Sequence, residues 1–355
     1  MQLENVKKIA VLRANALGDF IFALPALQAL RQTYPKAEIT LLALDWHATF
    51  LANRPSPIDK VIVIPPSRGV RGDANTEENP AELADFFAKM AAENFDIAIQ
   101  MHGGGRYSNP FVLRLGAKMT VGLKTPDAVP LDRWVPYIYY QPEILRYLEV
   151  VSLVGAKTTE LEPRITVTAE DLAEAKNVVN LSGKPLVVLH PGATDSRRWW
   201  GVEKFAAVGD ALADAGADVV VTGTKPERSL VEAVITKMNA QAQNLCDRLS
   251  LGGLAGLLKL SRVMISNDSG PLHLAAAIGC ATVGIFWCGN LITAGPMTRD
   301  RHRPAISWRL HCPVCGVDCT RASCNHRDSF VADVPVEEVV DSALELLATK
   351  SLPDL

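Results

Sequence analysis

The sequence predicts an α/β protein built from two parallel-sheet domains, and three observations predict it. The chain has 355 residues, a length that favours two domains of ordinary size over one large core. Along the first half, short β-branched runs are each followed by a Gly- or Pro-bearing turn and then by a helical stretch. Strands alternating with helices imply parallel βαβ units. The same alternation restarts after a polar stretch at 155–183 that contains Pro163. An N-terminal Rossmann-like α/β/α domain is therefore placed at 1–170 and a C-terminal one at 171–355, with room for the last helix to pack back on the first domain.

The elements follow in order. Ile9-Ala-Val-Leu12 reads as a strand, Arg13 to Gly18 as its turn, and Asp19 to Thr33 as a helix. Phe20, Ala23, Leu24, Leu27 and Leu30 recur there at helical spacing. Pro25 lies inside that stretch and predicts a kink or a restart. Residues 38–43, 60–64 and 95–100 read as strands, 66–80 as a polar loop and 81–94 as a helix. In the second half, 186–190, 218–222, 263–266 and 282–286 read as strands. Helices are expected near 169–181 and over 202–215, 226–239, 251–261 and 271–278.

Composition narrows the function. With 48% hydrophobic and 21% charged residues the chain is ordinary globular material. Residues 1–170 carry 18 basic and 19 acidic side chains, and residues 171–355 carry 18 and 20. Neither half has the basic excess that phosphate neutralisation needs, so a nucleic-acid partner is excluded. The longest uncharged apolar stretch, Leu272 to Asn290, contains His273 and several glycines and argues against a spanning helix. The N-terminal residues show no secretory apolar run, so a cytoplasmic protein is expected.

In parallel α/β sheets ligands bind beyond the carboxyl ends of the strands. The first such turn is Arg13-Ala-Asn-Ala-Leu-Gly18-Asp19. Gly18 permits close backbone approach or positive φ. Asp19 is either a helix cap or a carboxylate that accepts a proton from a hydroxyl, and the residues alone favour the cap. His190-Pro-Gly192-Ala-Thr194-Asp-Ser-Arg197-Arg198 offers backbone N–H groups, hydroxyls and cations. Phosphate binding and a solvated loop are equally good readings of it. Ser266-Asn-Asp268-Ser269-Gly270-Pro-Leu-His273 opens a helix that makes an anion site, with Asp268 suited to sugar hydroxyls. Thr222-Gly223 leads to Glu227, a ribose acceptor or a solvated acid. His102-Gly-Gly-Gly-Arg106 is a further Gly run at a strand end, able to admit a polar substrate. Neither GxGxxG nor GxxxxGK[ST] occurs at these turns.

Three of the loops, in order, resemble glycosyltransferase family 9, the bacterial lipopolysaccharide heptosyltransferases. The residues that carry the resemblance are Leu12-Arg-Ala-Asn-Ala-Leu-Gly-Asp19 with Leu24-Pro25-Ala-Leu27, His190-Pro-Gly-Ala193 with Trp200 and Phe205, and Asn267-Asp-Ser-Gly-Pro-Leu-His273-Leu-Ala275. The match runs from residue 8 to about 345. It implies a GT-B fold, two Rossmann-like domains with a cleft between them. It also implies inverting transfer of a heptose from ADP-heptose to a sugar hydroxyl of the lipopolysaccharide core. Asp19 matches the family's general base. Gly192, Thr194, Arg198, Thr222, Gly223, Glu227, Asp268, Ser269, Gly270 and His273 fall on the donor side; Gly18, His102 and Arg106 are placed on the acceptor side. Arg198 stands where the family usually has Lys, a planar guanidinium in place of an ammonium.

The partners implied are a nucleotide-sugar donor and a lipopolysaccharide core or other glycan acceptor. The ADP-sugar is a substrate, and no cofactor is required. A core acceptor would put the enzyme at the cytoplasmic face of the inner membrane, in peripheral contact, with Arg54, Arg68 and Arg71 as the candidate anion contacts. Two other readings stay open: another nucleotide sugar serving a different cell-surface glycan, and a non-catalytic sugar-nucleotide-binding protein. Cys312, Cys315, Cys319 and Cys324, flanked by His311 and His326, have metal-like spacing. Zn, labile disulfides or free thiols all remain readings of that cluster.

Overall fold

A computed structural model of the chain describes residues 3–349. The chain divides between Arg164 and Ile165 into two units, six residues before the boundary expected from composition. The first unit contains β1 (Lys8–Leu12), α1 (Leu17–Thr33), β2 (Glu38–Ala43), α2 (Asp45–Leu51), β3 (Lys60–Val63), α3 (Pro80–Ala92), β4 (Ile97–Gln100), α4 (Ser108–Leu113), β5 (Met119–Lys124), β6 (Arg133–Pro136) and α5 (Glu143–Ser152). The second contains α6 (Ala169–Val178), β7 (Leu186–His190), α7 (Val202–Asp214), β8 (Asp218–Val221), α8 (Arg228–Lys237), β9 (Ala242–Asn244), α9 (Leu251–Leu260), β10 (Val263–Asn267), α10 (Gly270–Ile278), β11 (Ala281–Trp287), α11 (Cys288–Ala294), β12 (His302–Ser307) and α12 (Val336–Ala348).

Each unit is one six-stranded, wholly parallel sheet. The orders are β3-β2-β1-β4-β5-β6 and β12-β11-β10-β7-β8-β9. Both are the doubly wound arrangement: the chain starts mid-sheet, winds to one edge, then returns to the centre and winds to the other. The reversal falls between β1 and β4 in the first unit and between β7 and β10 in the second. The strands beside it are apolar on both faces because helices cover both. Ile9 and Val11 on one face and Ala10 and Leu12 on the other are sealed off, as are Val187 and Leu189 on one face and Val188 and Met264 on the other. Leu12, Leu42, Phe86, Phe87 and Phe111 share one core, and Trp200, Phe205, Val219, Val221, Ile285 and Val339 share another.

Several expectations need correction. Helix α1 begins at Leu17 and runs through Pro25 to Thr33 without restarting. It is buried on most of its surface, so tertiary packing outweighs the one backbone hydrogen bond that Pro25 cannot donate. Residues 101–155, unassigned from sequence, hold α4, β5, β6 and α5. The edge strand β6, Arg-Trp-Val-Pro, is only half buried and ends on Pro136, so it lacks the apolar run that marks a central strand. Within the second unit, helix α12 packs against α7 and strands β10, β11 and β12. Among the described residues no helix is long and apolar enough to cross a membrane.

Helices α6 and α9 approach closely because α9 turns Gly252, Gly253 and Gly256 toward α6. A Cβ on Gly256 would lie 2.0 Å from the carbonyl oxygen of Asp171, a backbone atom that moves only with its helix. Gly256→Ala should therefore destabilise the second unit by about 1–3 kcal/mol despite its gain in helix propensity. Urea unfolding checks this; an unchanged or raised midpoint would show that the helices separate freely.

Candidate active site

In the first unit the chain leaves β1 through Arg13, which is 2% exposed. A buried guanidinium needs partners, and each of the three nitrogens here has at least one. Its Nη1 donates to the Met101 carbonyl just beyond β4 (2.6 Å), and its Nε donates to the Asp19 carbonyl (2.9 Å). Nη2 lies 3.2 Å from Asp19 Oδ1 and 3.5 Å from Glu143 Oε2. Asp19 sits in the first turn of α1, three residues beyond the Ala16 cap position, so it is not the cap itself. Its Oδ2 accepts the Ala16 N–H at 3.2 Å, and the side chain remains 39% exposed. The carboxylate is thus aimed by two donors and still open to solvent, next to the positive end of a helix.

Beneath it lies a network in which two guanidiniums balance two carboxylates. Glu143 pairs with Arg146 and accepts from the Tyr147 hydroxyl. Arg146, 1% exposed, also donates to the carbonyls of Ile138 (2.6 Å) and Tyr139 (2.9 Å). The Arg13 guanidinium stacks 4.6 Å from the centre of the Tyr147 ring. Burial pushes the Tyr147 hydroxyl up to about 12, so it stays a donor. Glu143, Arg146 and Tyr147 share one face of α5 at i, i+3, i+4 spacing. That pattern was visible, but it sits in the segment where sequence reasoning assigned no helix. Arg13 carries a signal too, as a charge directly continuing the apolar run Ile9–Leu12.

In the second unit the carboxyl ends of β7 and β10 are tied by Asn267, which is wholly buried. Its Nδ2 donates to the Pro191 carbonyl (2.6 Å), and its Oδ1 accepts the Trp200 N–H (3.2 Å). Asp268, 2% exposed, then receives three partners. Its Oδ1 lies 3.0 Å from His273 Nε2, and its Oδ2 lies 2.8 Å from Asn290 Nδ2 and 3.0 Å from Arg198 Nη1. Burial alone would raise this carboxyl, but His273, Arg198 and Asn290 outweigh it and hold the group below its ordinary value. The Arg198 side chain is 38% exposed, and the free N–H groups opening α10 begin at Gly270 beside it. One buried carboxylate, one partly exposed cation and one helix N-terminus have the chemistry suited to an anion joined to a hydroxyl-bearing group.

The remaining predicted residues divide between this region and the fold's interior. Glu227 comes to the β7 loop: a Cβ on Gly192 would sit 2.0 Å from its carboxylate, so the glycine makes the room. Glu227 also accepts the Thr224 N–H at 2.7 Å. Thr194 is exposed on the same loop, and Ser269 Oγ lies 3.0 Å from Ser266 Oγ. Thr222 is buried, its hydroxyl engaged by His190 Nδ1 (3.1 Å) and the Leu189 carbonyl (3.3 Å), and Gly223 packs against Val231. Those two shape the loop from inside. Gly18 is buried within α1 with no positive φ. His102 is 8% exposed and accepts the Ala14 N–H on Nδ1 (3.3 Å), so it braces the Asp19 turn from below. Arg106 is exposed, 3.8 Å from Asp127. Arg54 does not face solvent: it is buried over the Phe50 ring. Arg71 is paired with Asp45, and Arg68 donates to the Thr76 carbonyl. In the cysteine cluster, His326 takes the place expected of Cys319.

Known proteins resemble this chain in sequence and in fold. The family described as glycosyltransferase family 9 (heptosyltransferase) matches residues 83–308. The lipopolysaccharide core heptosyltransferase OpsX of Haemophilus influenzae is 22% identical over 308 residues, covering 82% of each chain. Among solved structures, a glycosyl transferase family 9 protein from Veillonella parvula superposes with a TM-score of 0.78 at 20% identity over 98% of both chains. The E. coli ADP-heptose lipopolysaccharide heptosyltransferase II superposes with a TM-score of 0.75 at 18% identity over 96% of this chain and 98% of that one.

The buried histidines of the first unit give a pH signature. Burial, joined by the nearby Arg13 charge, lowers His102 to about 4, and burial lowers His47 to about 3. Both are protonated near 6.5 once unfolded, so between pH 6.5 and 4 the unfolded chain binds more protons than the folded one. Stability is full above that window and falls as the pH drops through it, by on the order of 2 kcal/mol per histidine. Urea midpoints measured from pH 7.5 to 4.5 should fall, and His102→Gln should flatten the curve. A midpoint independent of pH over this range would show that both rings charge freely in the fold.

Proposed function

The chain belongs to glycosyltransferase family 9, and from that membership we propose that it moves a heptose from ADP-heptose to a sugar hydroxyl of a lipopolysaccharide core, with inversion. The observation that carries this reading is the pair of sites at the switch points: an aimed, open carboxylate in one unit and the Arg198–Asp268–His273 group in the other. In this reading Asp19 accepts the proton of the acceptor hydroxyl as that oxygen attacks the anomeric carbon. The bond from that carbon to the diphosphate oxygen breaks, and ADP leaves carrying the charge. Attack on the face opposite the leaving group inverts the centre.

Arg13 and the Ala16 N–H hold Asp19 in one orientation, which avoids a rotamer search during the reaction. The leaving diphosphate is met by Arg198 and by the N–H groups from Gly270 onward at the start of α10, preorganised dipoles that act where charge develops. Asp268, held ionised by its three partners, accepts hydrogen bonds from the donor sugar. Gly192 and Thr194 border the phosphates, and Glu227 receives the ribose hydroxyls. Thr222, Gly223, Gly18 and His102 set loop shape from the interior, while Arg106 offers its exposed cation to the acceptor. The lipopolysaccharide acceptor, and a working position at the inner membrane face, rest on the relatives' activities.

Asp19→Asn should cut transfer at least about 1,000-fold while leaving the ADP dissociation constant within about twofold. Near-normal transfer by this variant would remove Asp19 as the base. Thermal-shift titration with ADP, UDP and GDP should give the largest shift with ADP; a larger shift with either other nucleotide would redirect the donor. Arg198→Ala should weaken ADP binding about 10–100-fold, since it also leaves Asp268 short of a partner. Arg198→Lys should recover most of the loss. Unchanged ADP affinity in Arg198→Ala would place the diphosphate elsewhere.

A further inference from the structure

We propose that Cys312, Cys315, Cys324 and His326 hold one tetrahedral Zn²⁺ ion, and that this ion pins the C-terminal segment against the loop carrying Arg198. The ligand atoms of these four residues all lie within 4.8 Å of one another, and Cys312 Sγ is 3.7 Å from His326 Nδ1. A tetrahedron with Zn–S near 2.3 Å and Zn–N near 2.0 Å has edges of about 3.5–3.8 Å. The group therefore needs a contraction of at most about 1 Å to close on an ion. Spacing suggested four cysteines, but the fold turns Cys319 away, 3.5 Å from the Val317 carbonyl, and delivers His326.

The backbone is built as a metal knuckle. Cys312-Pro-Val-Cys315-Gly316 folds back on itself: the Cys312 N–H donates to Val317 O (2.8 Å), and the Gly316 N–H donates to Cys312 O (3.0 Å). Gly316 takes φ +72, a left-handed turn that a side chain would resist. The segment also needs a staple. Between His311 and Ser329, Cys312 is the sole buried side chain among the described residues, so no apolar core holds these residues in place. Three thiolates and an imidazole are the donor set of structural zinc, with no open position.

What the staple would hold lies immediately downstream. The Phe330 N–H donates to the Arg197 carbonyl (2.8 Å), Ser329 Oγ donates to the Trp199 carbonyl (2.6 Å), and Trp200 Nε1 donates to the Val334 carbonyl (2.9 Å). The Arg197 guanidinium lies 5.5 Å from the Phe330 ring centre. These bonds flank Arg198 on both sides. The zinc assignment stands on its own ligands and does not depend on which nucleotide the loop binds.

The full-length chain, purified without chelator, should carry about one equivalent of zinc by elemental analysis. Cys324→Ser and His326→Ala should each reduce this below a tenth of an equivalent, while Cys319→Ser should retain it. Cobalt exchanged into the wild type should show the visible bands of tetrahedral Co²⁺ with thiolate charge transfer. Stripping the metal should raise hydrogen–deuterium exchange at 195–200 and 328–334 while leaving exchange in residues 8–152 unchanged. Less than a tenth of an equivalent of zinc in folded wild-type protein would overturn the proposal. So would equal zinc loss from Cys319→Ser and Cys324→Ser, or a stripped protein whose 195–200 amides exchange as before.

Discussion

Both sites depend on one physical device: a buried polar side chain that crosses the switch point and ties two strand ends together. At the middle of each doubly wound sheet, the loops from adjacent strands depart to opposite faces, and their backbone groups lose ladder partners. Arg13 closes that gap in the first unit by donating to Met101 beyond β4 and to Asp19 on α1. Asn267 does the same in the second by linking Pro191 and Trp200 on the β7 loop to β10. Neither side chain is open to solvent, and each aims a neighbour that carries chemistry.

The two devices differ in electrostatic character. Arg13 brings a full charge into the interior, which is tolerable only because Glu143, Asp19 and the Tyr147 face surround it. Arg146 then offsets Glu143, and the Ile138 and Tyr139 carbonyls accept from its Nη2, while its buried Nε has no hydrogen-bond partner among the described residues. The result is a neutral buried cluster with one member, Asp19, reaching solvent. Asn267 carries no charge, so the second unit can place its buried carboxylate next door and let Arg198 and His273 hold it ionised. Losing one partner from either group leaves an unpaired charge, a larger penalty than the worth of the bond removed.

The proposed zinc site would extend the same logic beyond the sheet. The β7 loop has few apolar side chains of its own, and residues 329–334 complete its hydrogen bonding. That segment follows a stretch with almost no core, so its position relies on polar geometry and on the four ligand atoms gathered near Cys312. The β7 loop is thus braced from behind, and its outer face stays open.

By itself the sequence determined the architecture and the strand-end loops. Alternation of β-branched runs with helical stretches is a local signal, and parallel sheets put ligand loops at predictable ends, so Asp19, Asp268 and Arg198 could be picked out by position. Short edge elements such as β6 escaped because half-buried strands lack a continuous apolar run. Only the tertiary structure decided which of the picked residues face outward. Thr222 and His102 are polar residues at strand ends like the others, yet packing turns both inward to satisfy backbone and side-chain donors. Tertiary contact also chose His326 over Cys319, since ligand sets depend on where side chains converge in space. Glu143 lies 124 residues after Asp19 and reaches the same buried guanidinium; chain separation of that length leaves no local pattern to read.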